Sequence, residues 1–129
     1  MISTDLLKGA FGENPHDVYM AYDKLTDELI VRVIDPKRLA YVYEPANIES
    51  FALLVESESE EVIGFQLFNF VKDHLQSPNW KKTRSVWDNA KEFFDKEGYF
   101  KFRYDLRDKT PGRVIVSQGL TMVQEALCV

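Results

Sequence analysis

Three carboxylates stand close together at Asp23, Asp27 and Glu28, near enough in sequence to meet around one turn. Hard cations take several oxygen ligands, so one chemistry open to such a group is a divalent-cation site. No glycine-punctuated Asp-x-Asp loop surrounds them, which favours another role: Asp23 and Asp27 shaping the turn by bonding local backbone groups. The two histidines, His16 and His74, lie far apart, with no neighbouring ligand at metal spacing. A general base also needs an oriented partner and a substrate pocket, and neither is visible around them. Cys128 sits next to the C-terminus, a poor place for a nucleophile held by a rigid shell. Ser3, Ser57 and Ser117 lack a nucleophile-elbow context. No phosphate-binding glycine loop, zinc-ligand set or dinucleotide fingerprint occurs. The sequence therefore assigns no catalytic, cofactor-binding or metal-ligating residue and points away from an enzyme.

One constellation remains. Trp80-Lys81-Lys82-Thr83-Arg84 sets an aromatic beside three positive charges, and Lys101, Arg103 and Arg107 share one side of an alternating stretch. Basic groups contact phosphates while aromatics stack on bases, so Trp80, Lys81, Lys82, Arg84, Lys101 and Arg103 form a candidate nucleic-acid face. The alternative is a solvated helix start, with Trp80 in the core, plus the wet side of an edge strand, where lysine blocks aggregation. Asp88, Glu92, Asp105 and Asp108 interrupt the basic run, and the chain carries a net charge of -5. Both facts favour the alternative. The charge is unevenly spread: Met1 to Val71 holds 5 Lys/Arg against 13 Asp/Glu, and Lys72 to Arg113 holds 11 against 7. Two halves that pack together and partly neutralise each other account for this.

The elements that must position these residues read as strands first and helices later. A short helix and loop are expected over residues 1 to 18, with Asn14-Pro15 as a turn signal. Val18 to Asp23, Glu28 to Ile34, Ala40 to Glu44, Phe51 to Glu56 and Glu61 to Phe68 read as five strands. Leu29, Val31 and Val33 share one face because side chains alternate, and so do Ile63, Phe65 and Leu67. No gap between strands holds the dozen residues that a crossover helix needs, so the sheet is expected to be an antiparallel meander.

Beyond Asn69 the period changes. Phe70, Val71, His74 and Leu75 suggest a short helix broken at Ser77-Pro78-Asn79. Lys82 to about Lys96 reads as a longer helix, its stripe formed by Val86, Trp87, Ala90, Phe93 and Phe94. Phe100, Phe102, Tyr104 and Leu106 alternate with charged residues, a strand signature. Thr110-Pro111-Gly112 would turn this strand back into Arg113 to Ser117 as an extra hairpin. Thr121 to Leu127 returns to helical spacing. The expected fold is α+β: a five-stranded antiparallel meander over residues 22–69, with a helical and strand extension over 70–129 packed on it. Residues 1–129 form a single domain. Leu29, Val31, Val33, Leu53, Val55, Phe65, Leu67, Trp87 and Phe94 are its expected core.

From Tyr22-Asp23 through Asp27-Glu28-Leu29-Ile30 to Val62-Ile63-Gly64-Phe65, the chain resembles the small prokaryotic family domain-of-unknown-function 2283. The resemblance covers residues 22–69 and rests on the order and spacing of these pieces. It implies a β-meander core and no activity. The chain departs from the family in its length and in carrying Ser57-Glu58-Ser59-Glu60 where a glycine is usual.

With 45% hydrophobic and 29% charged residues in 129, the composition is that of an ordinary globular domain. One cysteine forms no internal disulfide, no signal peptide is recognisable, and no apolar run approaches the roughly 20 residues of a membrane span. A cytoplasmic address is expected. The leading functional expectation is a non-enzymatic binding or protein-interaction module. A nucleic-acid accessory factor comes second and an enzyme with an unrecognised site third. The aromatic strands Tyr41-Val42-Tyr43 and Phe100-Phe102-Tyr104 add the expectation of a homodimer.

Overall fold

Buried residues alternate with half-buried ones along β2 (Glu28–Val33), which pairs with β1 (His16–Asp23) as an antiparallel hairpin with Met20 opposite Val31. The computed structural model describes residues 16–33, 41–45, 48–57, 62–97, 99–104 and 111–127. The helix and loop expected over 1 to 18 fall outside these up to His16, where β1 already begins. The other strands are β3 (Tyr41–Pro45), β4 (Phe51–Glu56), β5 (Val62–Leu67) and β6 (Tyr99–Tyr104).

All pairings are antiparallel, and the six strands lie in the order β3-β4-β5-β2-β1-β6. The α+β class and the antiparallel sheet are as expected. The five-stranded meander is not. β2 pairs with β5 rather than with its successor β3, and a sixth strand closes on β1. The β2–β3 connection therefore passes two strands to reach the far edge. Sequence spacing excluded a crossover helix but left the lateral order of antiparallel strands open.

Two helices follow the strands. α1 (Lys81–Glu97) is entered through two single 3-10 turns, His74–Gln76 and Pro78–Trp80, the second opened by its proline. α2 (Pro111–Leu127) replaces the expected return strand at Arg113 to Ser117. The β-branched run Val114-Ile115-Val116 looks like a strand locally. Yet Ile115, Val116, Gly119, Met122 and Val123 fall at helical spacing, all buried, and Pro111 occupies the first helical position, where its missing N–H costs nothing. The extra hairpin is thus corrected: β6 pairs with β1, not with 113–117.

All nine expected core residues are buried. They join Val18, Met20, Phe51, Phe70, Trp80, Ile115, Val116, Met122 and Val123 in one cluster between the sheet and the helices. Val62 belongs to this cluster and Ile63 does not, because the β4–β5 register shifts between Leu54 and Val55. That irregularity overturns the expected face of Ile63. The sheet's reverse face is also covered around β4 and β5, where Ala52, Leu54, Ile63 and Gln66 are buried. α2 approaches β5 closely: a Cβ added at Gly119 would run into the Phe65 ring. Among the described residues, no helix is long and apolar enough to cross a membrane.

Candidate functional site

At the end of the sheet where β1 turns into β2, the reactive side chains gather. Asp23 bends the turn, its Oδ1 accepting the Leu25 N–H at 2.9 Å. Asp27 closes the turn in the left-handed region, φ 55°, a conformation that Asp tolerates better than most residues. Its carboxylate then meets the chain arriving from β5. Oδ1 accepts the Tyr22 hydroxyl at 2.7 Å and the Val71 N–H at 2.8 Å, and Oδ2 accepts the Lys72 N–H at 3.0 Å. The Asp27 carbonyl also accepts the Phe70 N–H at 2.9 Å. The role expected of Asp23 holds. Asp27 differs, since its partners are Tyr22 and backbone more than forty residues further on.

A second lock stands beside the first. Ser50, also left-handed at φ 59°, offers its carbonyl to the Phe68 N–H at 2.8 Å and to His74 Nε2 at 2.9 Å. A carbonyl only accepts, so His74 Nε2 carries a proton and donates it. Asn69, likewise at positive φ (53°), lies between the two locks. Its Nδ2 donates to Ser50 Oγ at 3.4 Å, and its carbonyl accepts the Asp73 N–H at 2.8 Å. Together they fasten residues 68–77 across the end of the sheet.

The fastened segment sits on aromatic rings. Tyr22 meets Trp87 edge-on at 5.1 Å, and Phe70 meets Trp80 at 5.3 Å and Trp87 at 5.0 Å. His74 approaches Trp80 at 6.3 Å. Such edge-to-face contacts add about 0.5–1.5 kcal/mol each beyond area burial. Burial pushes the Tyr22 phenol up, the hydrogen bond to Asp27 pushes it further, and its pKa stands well above the usual phenol range. For Asp27, burial opposes ionisation. The hydrogen bonds from Val71, Tyr22 and Lys72 and the nearby His74 outweigh it, holding the carboxyl below its ordinary range.

An aspartate, a histidine and a serine at one end of a sheet invite a hydrolytic reading, and the bonds oppose it. His74 spends Nε2 on the Ser50 carbonyl rather than on Oγ, so it is not placed to take the serine proton. Asp27 gives both oxygens to Tyr22 and to backbone N–H groups. Nor do the three turn carboxylates converge on a cation: Asp23 and Asp27 are engaged as described, and Glu28 Oε2 accepts Gln66 Nε2 at 3.1 Å. Among the described residues, no group of three or more His, Cys, Asp or Glu could hold a metal ion.

The candidate nucleic-acid residues are not assembled with Trp80 as that reading requires. Trp80 is 2% exposed and packed on Phe70, leaving no ring face for a base. Its hydrophobic area, at the entry to a helix that covers the sheet, draws it inward. Lys81, Lys82 and Arg84 are exposed on the first turn of α1. Lys101 and Arg103 lie on β6, opposite Tyr19 and Asp17 in the register, and their side chains are outside the described residues, as is Cys128.

No family model, curated protein or solved structure matches the chain. Sequence reasoning missed Tyr22, Ser50 and His74 as a group. The signal it could have used is the pair Tyr22 and Asp27, which a four-residue turn brings within reach of each other. Nothing local announces Ser50 or the backbone of Val71 and Lys72.

Proposed function

We propose that this chain is a non-enzymatic binding module whose folded surface, not a reactive centre, does its work. The observation that carries this reading is the commitment of the Asp27 carboxylate and of His74 Nε2 to backbone groups at the sheet end, which leaves Ser50 Oγ without a base. A catalytic set must keep a nucleophile and a base free for substrate. Here the same residue types build a rigid end to the sheet, and rigid scaffolds suit recognition surfaces. The resemblance of residues 22–69 to domain-of-unknown-function 2283 belongs to the same proposal, as does a protein partner.

The nucleic-acid alternative loses its aromatic platform with Trp80 buried. The homodimer keeps less support, because the register seats Phe100 opposite Met20 and Phe102 opposite Val18, both core residues. The test pairs two screens: selection from a displayed peptide library, and turnover of chromogenic ester, amide and phosphate substrates. Enriched peptides that compete with one another, without turnover, are expected. Turnover abolished by His74→Gln or Ser50→Ala would replace this reading with a catalytic one.

A further inference from the structure

The first turn of α1 carries Lys81, Lys82 and Arg84, all exposed. Among the described residues, none of the three side chains is held by an ion pair. Asp88 lies four residues beyond Arg84, a spacing at which helical side chains meet, yet its Oδ1 takes Lys91 Nζ at 3.2 Å instead. The cations therefore stand unneutralised within roughly 5 Å of helix rise. They also stand where a helix least favours them. Its dipole puts positive partial charge at this end, and no acidic residue in the first turn offsets it. Folding gives no reason to keep three unpaired cations there, and a local rule broken without internal compensation points to a role in function.

The surroundings decide which anion fits. Trp80 is buried against Phe70, so no ring stands ready beside the cations to stack on a base. The Lys81 N–H already bonds the Pro78 carbonyl, which leaves the attraction to the side chains. Along the helix, Lys81, Arg84, Asp88 and Glu92 follow one another at i, i+3, i+7 and i+11, on one exposed stripe. Asp88, Glu92 and the net charge of -5 repel an anion that continues along this stripe, as a duplex or a charged lipid surface does. A few adjacent carboxylates meet the three cations and stop short of the acids. Arg84 can engage a carboxylate through two N–H groups at once, while Lys81 and Lys82 act as point charges.

Resting on the binding-module reading, we infer that the first turn of α1 docks a short acidic segment of a partner protein, anchored by Lys81, Lys82 and Arg84. Charge complementarity at such an exposed site supplies specificity and speed of association more than affinity, and salt weakens it.

The probe is a labelled peptide with three consecutive glutamates between glycine-serine flanks, and its glutamine counterpart is the control. Fluorescence anisotropy on the full chain is expected to show the glutamate peptide binding about tenfold tighter, the difference shrinking as salt rises. Lys81→Gln/Lys82→Gln/Arg84→Gln should remove that preference. Its urea midpoint should be unchanged or raised, because the lost charges oppose the helix dipole. In Lys81→Glu/Lys82→Glu/Arg84→Glu the preference turns to a lysine peptide. Equal binding of the glutamate and glutamine peptides, no binding of either, or a preference that survives the glutamine variant overturns the docking site. So does a lowered urea midpoint in that variant, which would assign the cations to the fold. A duplex oligonucleotide or phosphatidylserine vesicles bound more tightly than the peptide overturn the choice of partner. Displayed peptides that bind independently of these three residues would leave the binding-module reading standing, whereas a library yielding no binder at all removes both.

Discussion

The two helices are attached to the same sheet by different means. α1 is led in by a chain segment fastened at Asp27 and Ser50, and it packs through large rings, Trp87 and Phe94, against Tyr22 and Phe70. α2 has aliphatic contacts at Ile115, Val116 and Val123, and it comes close to Phe65 only because position 119 has no side chain. Rings tolerate a helix standing off from the sheet, whereas a glycine contact demands that backbone and ring nearly touch. The first attachment spreads over many groups, and the second depends on one absence.

Trp87→Ala should do the greatest damage. Truncating a buried tryptophan typically costs about 3–5 kcal/mol, and here it also strips Tyr22, Phe70 and Phe94 of a ring partner. A fall of that size in urea unfolding free energy, with an unchanged dependence on urea, is the expected result. A loss under about 1 kcal/mol would mean that α1 is held mainly by its lead-in.

Asp27→Asn tests the lead-in itself. Asparagine tolerates the same left-handed backbone, but its Nδ2 would face the Lys72 N–H, donor against donor. Charged hydrogen bonds contribute roughly 1.5–3 kcal/mol, and solvent screening of a half-exposed carboxylate lowers the expected loss to about 1–2 kcal/mol. The pH dependence has a definite sign. The folded Asp27 carboxyl is held below its ordinary range, so its contribution is complete above an unfolded value of about 3.9. It fades as pH falls through the lower folded value, and Asp27→Asn should flatten that acid limb. Tyr22 has the opposite sense: its raised phenol contributes fully below about pH 10, and the contribution is lost only as pH rises through the folded value. Phenolate absorbance in the native protein should lag behind that of a Tyr22→Phe control carrying the remaining tyrosines.

Gly119→Ala probes the other attachment. Alanine gains about 1 kcal/mol of helix propensity, and overpacking against Phe65 costs about 1–3 kcal/mol. Net destabilisation of about 1 kcal/mol is expected; a more stable variant would show that α2 can lift off without loss. Ile115→Val, which only shortens a side chain on the same helix, should cost about 0.5–1.5 kcal/mol. It calibrates what an ordinary α2 contact is worth.

The comparison also explains what the sequence made legible. α1 announces itself because Trp87, Ala90 and Phe94 repeat at helical spacing among charges, and the strand cores announce themselves by alternation at Leu29, Val31 and Val33. α2 was hidden by the run Val114-Ile115-Val116, where β-branched residues match a strand over a window shorter than the helix. The locks at Asp27 and Ser50 were hidden for another reason. They join positions more than fifteen residues apart through a backbone group on one side, the Val71 and Lys72 N–H for Asp27 and the Ser50 carbonyl for His74, and a backbone group leaves no trace in residue type. Lateral strand order was equally invisible, since both β2–β3 and β2–β5 pairings satisfy the same alternation.

The pairing of β1 with β6 sets a problem of timing. Met20 and Phe100 face each other although roughly 80 residues separate them in the chain. As the polypeptide leaves the ribosome, the β1–β2 hairpin emerges early, while β5 and β6, which flank it on either side, come later. Until then both its edges and its apolar face, Val18, Met20, Leu29, Val31 and Val33, have no permanent cover. Pairings of such separation form slowly, because the long loop must close before any contact rewards it. The half-synthesised chain is therefore the species most open to aggregation, and a folding intermediate should be sought in fragments that end before Tyr99.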